Sequence, residues 1–141
     1  MTQSLPPVKK PLVFKGDFVK PTPPVFEGVT LKSFIHPEPM FNDGFESVDI
    51  GRPEVRYSFG LFIIEKGKFW PLTRFSISEV DYILEGQAEF EIEGEKIHAQ
   101  KGDVVYIPPH QARTIHVLGD QNLKYLSIVD PAWLPEYEEV L

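Results

Sequence analysis

The sequence predicts an all-β domain made of short antiparallel strands. Between residues 67 and 113, short apolar runs are bounded by glycine or proline, and residues 88–93 alternate strictly between apolar and acidic side chains. Alternation with a period of two is typical of a strand that buries one face. Turn residues recur about every 8–12 positions, which is the spacing found in β-sandwiches and β-barrels. The chain is therefore expected to fold as a sandwich or barrel.

Three segments are predicted along the chain. Residues 1–24 contain six prolines and form a Pro-rich N-terminal arm, because proline fixes φ and removes a backbone donor. Residues 25–130 form the β-barrel, with strands expected at 25–35, 47–50, 55–64 and 123–129. Residues 131–141 form an acidic C-terminal tail, in which Glu136, Glu138 and Glu139 are expected to form one helical turn.

Composition excludes several classes of protein. The net charge is −7, and an acidic body repels nucleic-acid phosphates. No apolar run approaches the roughly 20 residues of a membrane span, and the N-terminus lacks the order of a signal peptide. The chain has no cysteine, so neither disulfides nor thiolate metal sites can form. We therefore predict a cytoplasmic protein that binds neither nucleic acid nor membrane.

Two motifs with fixed spacing lie in the centre of the chain. The first reads Gly-x5-Thr-x-Phe-x3-Glu-x6-Gly over residues 67–86, and the second reads Gly-x5-Pro-x-His-x2-Arg over residues 102–113. This glycine and proline frame resembles the two motifs of the cupin superfamily, and the resemblance extends over residues 55–129. It implies an RmlC-like jelly-roll barrel, also called a double-stranded β-helix.

The side chains within this frame depart from the family's metal site. Cupins bind metal through two histidines and a glutamate of the first motif and a histidine of the second. The matching positions here hold Thr73, Phe75, Glu79 and Arg113. Phenylalanine has no lone pair to offer and arginine is a permanent cation. We predict no tightly bound metal or other cofactor, and at most a weak Mg²⁺ at the carboxylates.

The same frame gives a list of candidate site residues. If the motif residues face the barrel interior, alternation places Asp81 on the same face as Glu79. Two close buried acids raise one pKa, so this pair is the candidate catalytic acid and base. The alternative is a structural ion pair between Arg113 and one of these acids. The expected ligand-binding residues are Arg113, Thr73, Phe75, Gln111 and His110.

Other histidines and aromatic residues are given structural roles. His98 and His116 are predicted to lie on the surface, and His36 lies in a proline-flanked loop with no visible partner. Trp70, Tyr82, Tyr106 and Tyr125 are predicted to be core or dimer-surface residues.

Within the cupins, two phrases resemble the ethanolamine-utilisation protein EutQ. These are residues 69–86, which include Glu79 and Asp81, and the ending Val-Asp-Pro-Ala-Trp at 129–133. EutQ proteins also lack the metal histidines, form dimers and have an assigned acetate kinase activity. The chain also resembles, more weakly, the small metal-free cupin dehydratases of nucleoside-antibiotic pathways.

The function that follows is binding of a small polar or anionic metabolite held by Arg113, in a homodimer. Acyl-phosphate or acetate kinase chemistry is implied only by the EutQ resemblance. One alternative is a metal-independent lyase, dehydratase or isomerase that uses Asp81 or Glu79 as base. The other is a non-catalytic ligand-binding or scaffold protein.

Overall fold

The computed structural model describes residues 16–37 and 55–141. The predicted strand at residues 47–50 and most of the Pro-rich arm lie outside these residues. The described chain contains ten strands and two short 3-10 helices, at Gly16–Phe18 and Pro135–Tyr137. The strands are β1 Val29–Ile35, β2 Ser58–Ile64, β3 Phe69–Phe75, β4 Ser78–Glu85, β5 Gln87–Ile92, β6 Glu95–Gln100, β7 Val104–Ile107, β8 Ala112–Leu118, β9 Leu123–Asp130 and β10 Glu138–Val140.

The strands form two five-stranded antiparallel sheets. The first has the order β1-β2-β9-β4-β7 and the second the order β10-β3-β8-β5-β6. Side chains that alternate inward from both sheets meet in one core, with Phe90 and Ile115 of the second sheet and Ile83 of the first fully buried. Burying such a side chain contributes about 1.5–3 kcal/mol to folding. The jelly-roll β-barrel that the sequence predicts is confirmed.

Strand β4 positions the candidate acids. It lies between β9 and β7, with Glu79 opposite Val129 and Ile107, and Asp81 opposite Ser127 and Val105. Its buried and exposed residues alternate along its length. Two residues apart, Glu79 and Asp81 therefore both face the barrel interior.

Glycine is required at the hairpin between β4 and β5. Gly86 has φ +82°, and a Cβ built on it would lie 2.5 Å from the backbone oxygen of Asn122. A larger residue would be strained by its φ and would also push against backbone. This explains why the first motif ends in glycine.

The two ends of the described chain differ from the sequence predictions. β1 begins at Val29, because the Val29 amide donates to the Phe26 oxygen around Gly28, which has φ +76°. The predicted helical turn is wrong for Glu138 and Glu139, which lie in β10. β10 pairs with β3, and this pairing supplies the backbone hydrogen bonds that a helix would otherwise provide. None of the described helices is long and apolar enough to cross a membrane.

Candidate functional site

A cavity of about 320 Å³ lies inside the barrel, with residues of both sheets in its lining. Its volume is at the lower end of the range of roughly 300–1,000 Å³ typical of small-molecule sites. Seven aromatic residues contribute to the lining. Two of them are Trp70 and Phe75, and the other five, which we call the aromatic wall, are Phe26, Phe59, Phe62, Tyr125 and Trp133. The lining also contains four residues with an acidic, basic or imidazole side chain: His36, Glu79, Arg113 and Glu138.

An ion pair between the two sheets forms one side of the cavity. Arg113 of β8 donates from Nη2 to Oε1 of Glu79 in β4 over 2.8 Å, and from Nη1 to Oγ1 of Thr73 over 2.9 Å. The side chains of Arg113 and Glu79 are only 2% and 3% exposed. A charge buried this deeply must be paired and hydrogen-bonded to be tolerated.

Two aromatic rings complete the surroundings of Arg113. Its Cζ lies 4.3 Å from the ring centroid of Phe75 and 4.8 Å from that of Trp70, which are cation–π distances. The indole of Trp70 donates to Oγ1 of Thr73 over 3.0 Å, so that hydroxyl accepts from both neighbours. Phe75 and Thr73 occupy the positions of motif-one ligands in metal-binding cupins. Here they contact the Arg113 guanidinium instead of a metal. Arg113 Nε nevertheless has no hydrogen-bond partner among the described residues.

Asp81 lies behind Glu79 and is completely buried. Burial raises the pKa of Asp81 well above its usual value, and the negative charge of Glu79 raises it further. Burial would also raise the pKa of Glu79, but the Arg113 charge and the hydrogen bonds from Asp81 and Arg113 outweigh it and lower that pKa.

The Asp81 carboxyl therefore keeps its proton to a higher pH than an ordinary aspartate does. The protonated form can donate to Glu79, which raises the pKa of Asp81, whereas a hydrogen bond from Ser127 favours the ionised form and is outweighed. The sequence predicted that one pKa of the pair is raised, and the ion pair of Arg113 with Glu79 decides that it belongs to Asp81.

Another part of the cavity lining is built by residues that sequence reasoning missed. His36 is buried and its Nε2 donates to the backbone oxygen of Trp133 over 2.7 Å, so the expectation that His36 has no partner is wrong. The Trp133 indole in turn donates to Oε1 of Glu138 over 3.0 Å. His36 and Trp133 are 97 residues apart in the chain. Local periodicity carries no signal for a contact at that separation.

Glu138 presents a carboxyl oxygen with unmet hydrogen-bonding capacity. Its Oε2 is buried and has no hydrogen-bond partner among the described residues. Burial raises the pKa of Glu138, while the hydrogen bond from Trp133 and the charge of Arg113 act in the other direction. Tyr125 also lines the cavity, and burial followed by the charges of Asp81 and Glu79 raises its pKa well above the usual value, so it is a neutral phenol.

The predicted ligand-binding residues divide into two groups. Arg113 and Phe75 line the cavity, and Thr73 supports Arg113 from behind. His110 has φ +68° in the loop before β8 and is exposed, and Gln111 is half-buried; neither belongs to the described cavity lining. The backbone amide of His110 donates a hydrogen bond to the Phe75 oxygen, but the His110 side chain is exposed.

The remaining histidines lie away from the cavity. His98 is exposed and contacts Gln87, and the ring of half-buried His116 stacks on Phe69. Within residues 16–37 and 55–141, no group of three or more histidines or acids is arranged to hold a metal ion. At the motif positions, the positive charge beside Glu79 is that of the Arg113 guanidinium.

Two five-stranded sheets enclosing a cavity, with the motif residues on their inner faces, define a jelly-roll domain. Residues 60–129 match the family model Cupin_2, described as a cupin domain. The chain thus belongs to the cupin superfamily. The matched segment contains every acid and cation of the ion-pair side, but not His36, Trp133 or Glu138.

Comparisons with known proteins agree with this assignment. The uncharacterized protein MJ1618 of Methanocaldococcus jannaschii is 36% identical over 67 residues, which are 48% of this chain and 54% of that protein. The match thus spans about half the length of this curated relative. Among solved structures, the ethanolamine utilization protein EutQ of Salmonella typhimurium has a TM-score of 0.56 and 24% identity, covering 77% of each chain.

Another solved structure is similar over a longer segment. A variant of Streptomyces PAC13 with uridine has a TM-score of 0.67 and 15% identity, covering 94% of this chain and 92% of that one. At these identities the two structures show a shared fold and nothing about ligand or reaction. EutQ is one of several solved structures with a similar fold, so this similarity does not identify the chain as a EutQ protein.

Proposed function

We propose that this cupin binds a small organic molecule in the barrel cavity, with the apolar body of the ligand against the aromatic wall. A polar atom of the ligand would accept a hydrogen bond from Arg113 Nε. The observation that carries the proposal is this buried donor, which has no described partner and belongs to a residue of the cavity lining. A buried donor without a partner costs about 1–3 kcal/mol, and a bound acceptor would remove that cost.

The chemistry of the cavity lining supports a small organic ligand rather than a nucleotide. A phosphoryl-transfer enzyme must bring nucleotide phosphates and Mg²⁺ together and neutralise their charge. The described lining is mainly aromatic and aliphatic, and its one arginine is already paired with Glu79. The acetate kinase activity implied by the EutQ resemblance gains no support from this lining.

Co-purification tests the binding proposal. Native mass spectrometry of the purified protein should detect a small molecule that is lost when the cavity is filled by Val129→Phe, because Val129 lines the cavity. The matched control is Val104→Phe at an exposed position of the same sheet. If Val129→Phe does not fold, Ser33→Leu fills the cavity from β1 instead. Retention of the molecule by a folded cavity-filling variant would contradict the proposal.

A second candidate function is metal-independent proton transfer, as in a lyase, dehydratase or isomerase. Its support is the opposite pKa displacement of two neighbouring acids, a pattern found in acid/base pairs. Glu79 lines the cavity and is ionised, so it would be the base, with protonated Asp81 behind it as the positioning partner. Solvent deuterium exchange into a bound carbonyl compound, lost in Glu79→Gln, would support catalysis. Binding without exchange would favour the non-catalytic alternative.

A further inference from the structure

Acidic and basic groups around the cavity are unequal in number. Three carboxyl side chains lie in or directly behind the described lining, at Glu79, Asp81 and Glu138, whereas Arg113 is the one arginine or lysine in that lining. Arg113 is already paired with Glu79 over 2.8 Å. Of the two carboxyls in the lining, that of Glu138 has no cation in direct contact among the described residues.

The surroundings of Glu138 indicate what would satisfy it. Its Oε1 accepts from the Trp133 indole, while Oε2 is buried without a described partner. Burial is the largest influence on the pKa of Glu138 and raises it, as expected for a carboxyl that lacks a contacting cation. A donor that carries positive charge would lower that pKa and complete the hydrogen bonding of Oε2.

The aromatic wall suits the same kind of group. Aromatic faces attract cations through their quadrupole, most strongly where water is excluded. This barrel already uses that interaction, since the Arg113 guanidinium lies over the rings of Trp70 and Phe75. Trp133, which contacts Glu138 through its indole, belongs to the wall, so an acid and aromatic faces border the same space.

We infer that the ligand is an organic amine, whose protonated nitrogen is held by Glu138 Oε2 and the aromatic wall. This inference rests on the proposed binding function and narrows its ligand class. It differs from the sequence expectation of an anion held by Arg113, because Glu79 already balances that charge. Arg113 Nε would receive an acceptor atom of the same molecule.

Three probes of nearly equal size and different charge test this inference. Binding of benzylamine, benzyl alcohol and benzoate to the full chain is measured by calorimetry and by the shift in Tm. We expect benzylamine, which is protonated at neutral pH, to bind most tightly and benzoate most weakly. Replacing Glu138 by glutamine keeps an acceptor for Trp133 and removes the charge. Since a hydrogen bond to a charged group contributes about 1.5–3 kcal/mol, Glu138→Gln should weaken benzylamine binding at least about tenfold.

The matched control is Glu139→Gln at the next residue, where the side chain is exposed and pairs with Arg74 outside the cavity. It should leave benzylamine binding unchanged. Tighter binding of benzoate or benzyl alcohol than of benzylamine, abolished by Val129→Phe, would overturn the amine inference while the binding function stands. Equal losses in both glutamine variants would also overturn it. Failure of all three probes to bind, together with no co-purified molecule, would overturn both proposals.

Discussion

Replacing Arg113 by methionine should destabilise the fold by about 3–5 kcal/mol, because Glu79 would be left as an uncompensated buried charge. Both side chains of the pair are 3% exposed or less, so solvent cannot replace the lost partner. The variant also loses the hydrogen bond to Thr73 and the contacts with the rings of Trp70 and Phe75. This loss is a large fraction of the roughly 5–15 kcal/mol that stabilises a typical domain.

The expected pH dependence distinguishes electrostatics from simple loss of packing. Without Arg113, burial raises the pKa of Glu79 above its unfolded value. A group of this kind contributes stability that is present below the unfolded pKa and lost as the pH rises through the folded pKa. The deficit of Arg113→Met relative to wild type should therefore be small in acid and grow toward neutral pH.

Urea unfolding of the single and double variants measures the effect. The double variant Arg113→Met/Glu79→Gln removes both charges and should recover most of the lost stability, since replacing a whole buried ion pair is often neutral. Arg74→Met is the control, because its pair with Glu139 is exposed and contributes about 0–1 kcal/mol. A loss below about 1 kcal/mol for Arg113→Met, or a double variant no more stable than the single one, would refute the reasoning.

Three further predictions concern the second acid, metal content and assembly. The folded pKa of Asp81 is raised, so its contribution to stability is present below the unfolded pKa of about 4 and is lost as the pH rises toward the folded pKa. The free energy of unfolding of Asp81→Asn, measured in urea titrations, should therefore improve relative to wild type as the pH rises above about 4. A constant difference would contradict this. Elemental analysis of purified protein should find well under one transition metal per chain, because Thr73, Phe75 and Arg113 offer no metal ligand set; a stoichiometric metal held in the barrel would contradict it. The predicted homodimer should appear in sedimentation velocity. If it uses the outer face of the first sheet, where Val104 and Tyr106 are exposed, Tyr106→Glu should yield monomers, and a monomeric wild type would exclude the dimer.

Strand periodicity and motif spacing were enough to predict the fold and one side of the site. Alternation places Glu79 and Asp81 on one face of β4 whatever the partner strands are, since side chains of a strand repeat every two residues. The alternation is a local feature and can be read from sequence. That Arg113 lies near these acids was implied by the resemblance of the glycine and proline frame to the cupin motifs, since it is 34 residues from Glu79.

Only the tertiary structure decided which acid has the raised pKa and which other residues line the cavity. Arg113 contacts Glu79 between the two sheets and lowers its pKa, while burial and the Glu79 charge raise the pKa of Asp81. The contacts from His36 to Trp133 and from Trp133 to Glu138 depend on how the last residues return to pair with β3. Charge and hydrogen-bond partners in a buried site are set by distances between remote segments, and a one-dimensional pattern does not contain those distances.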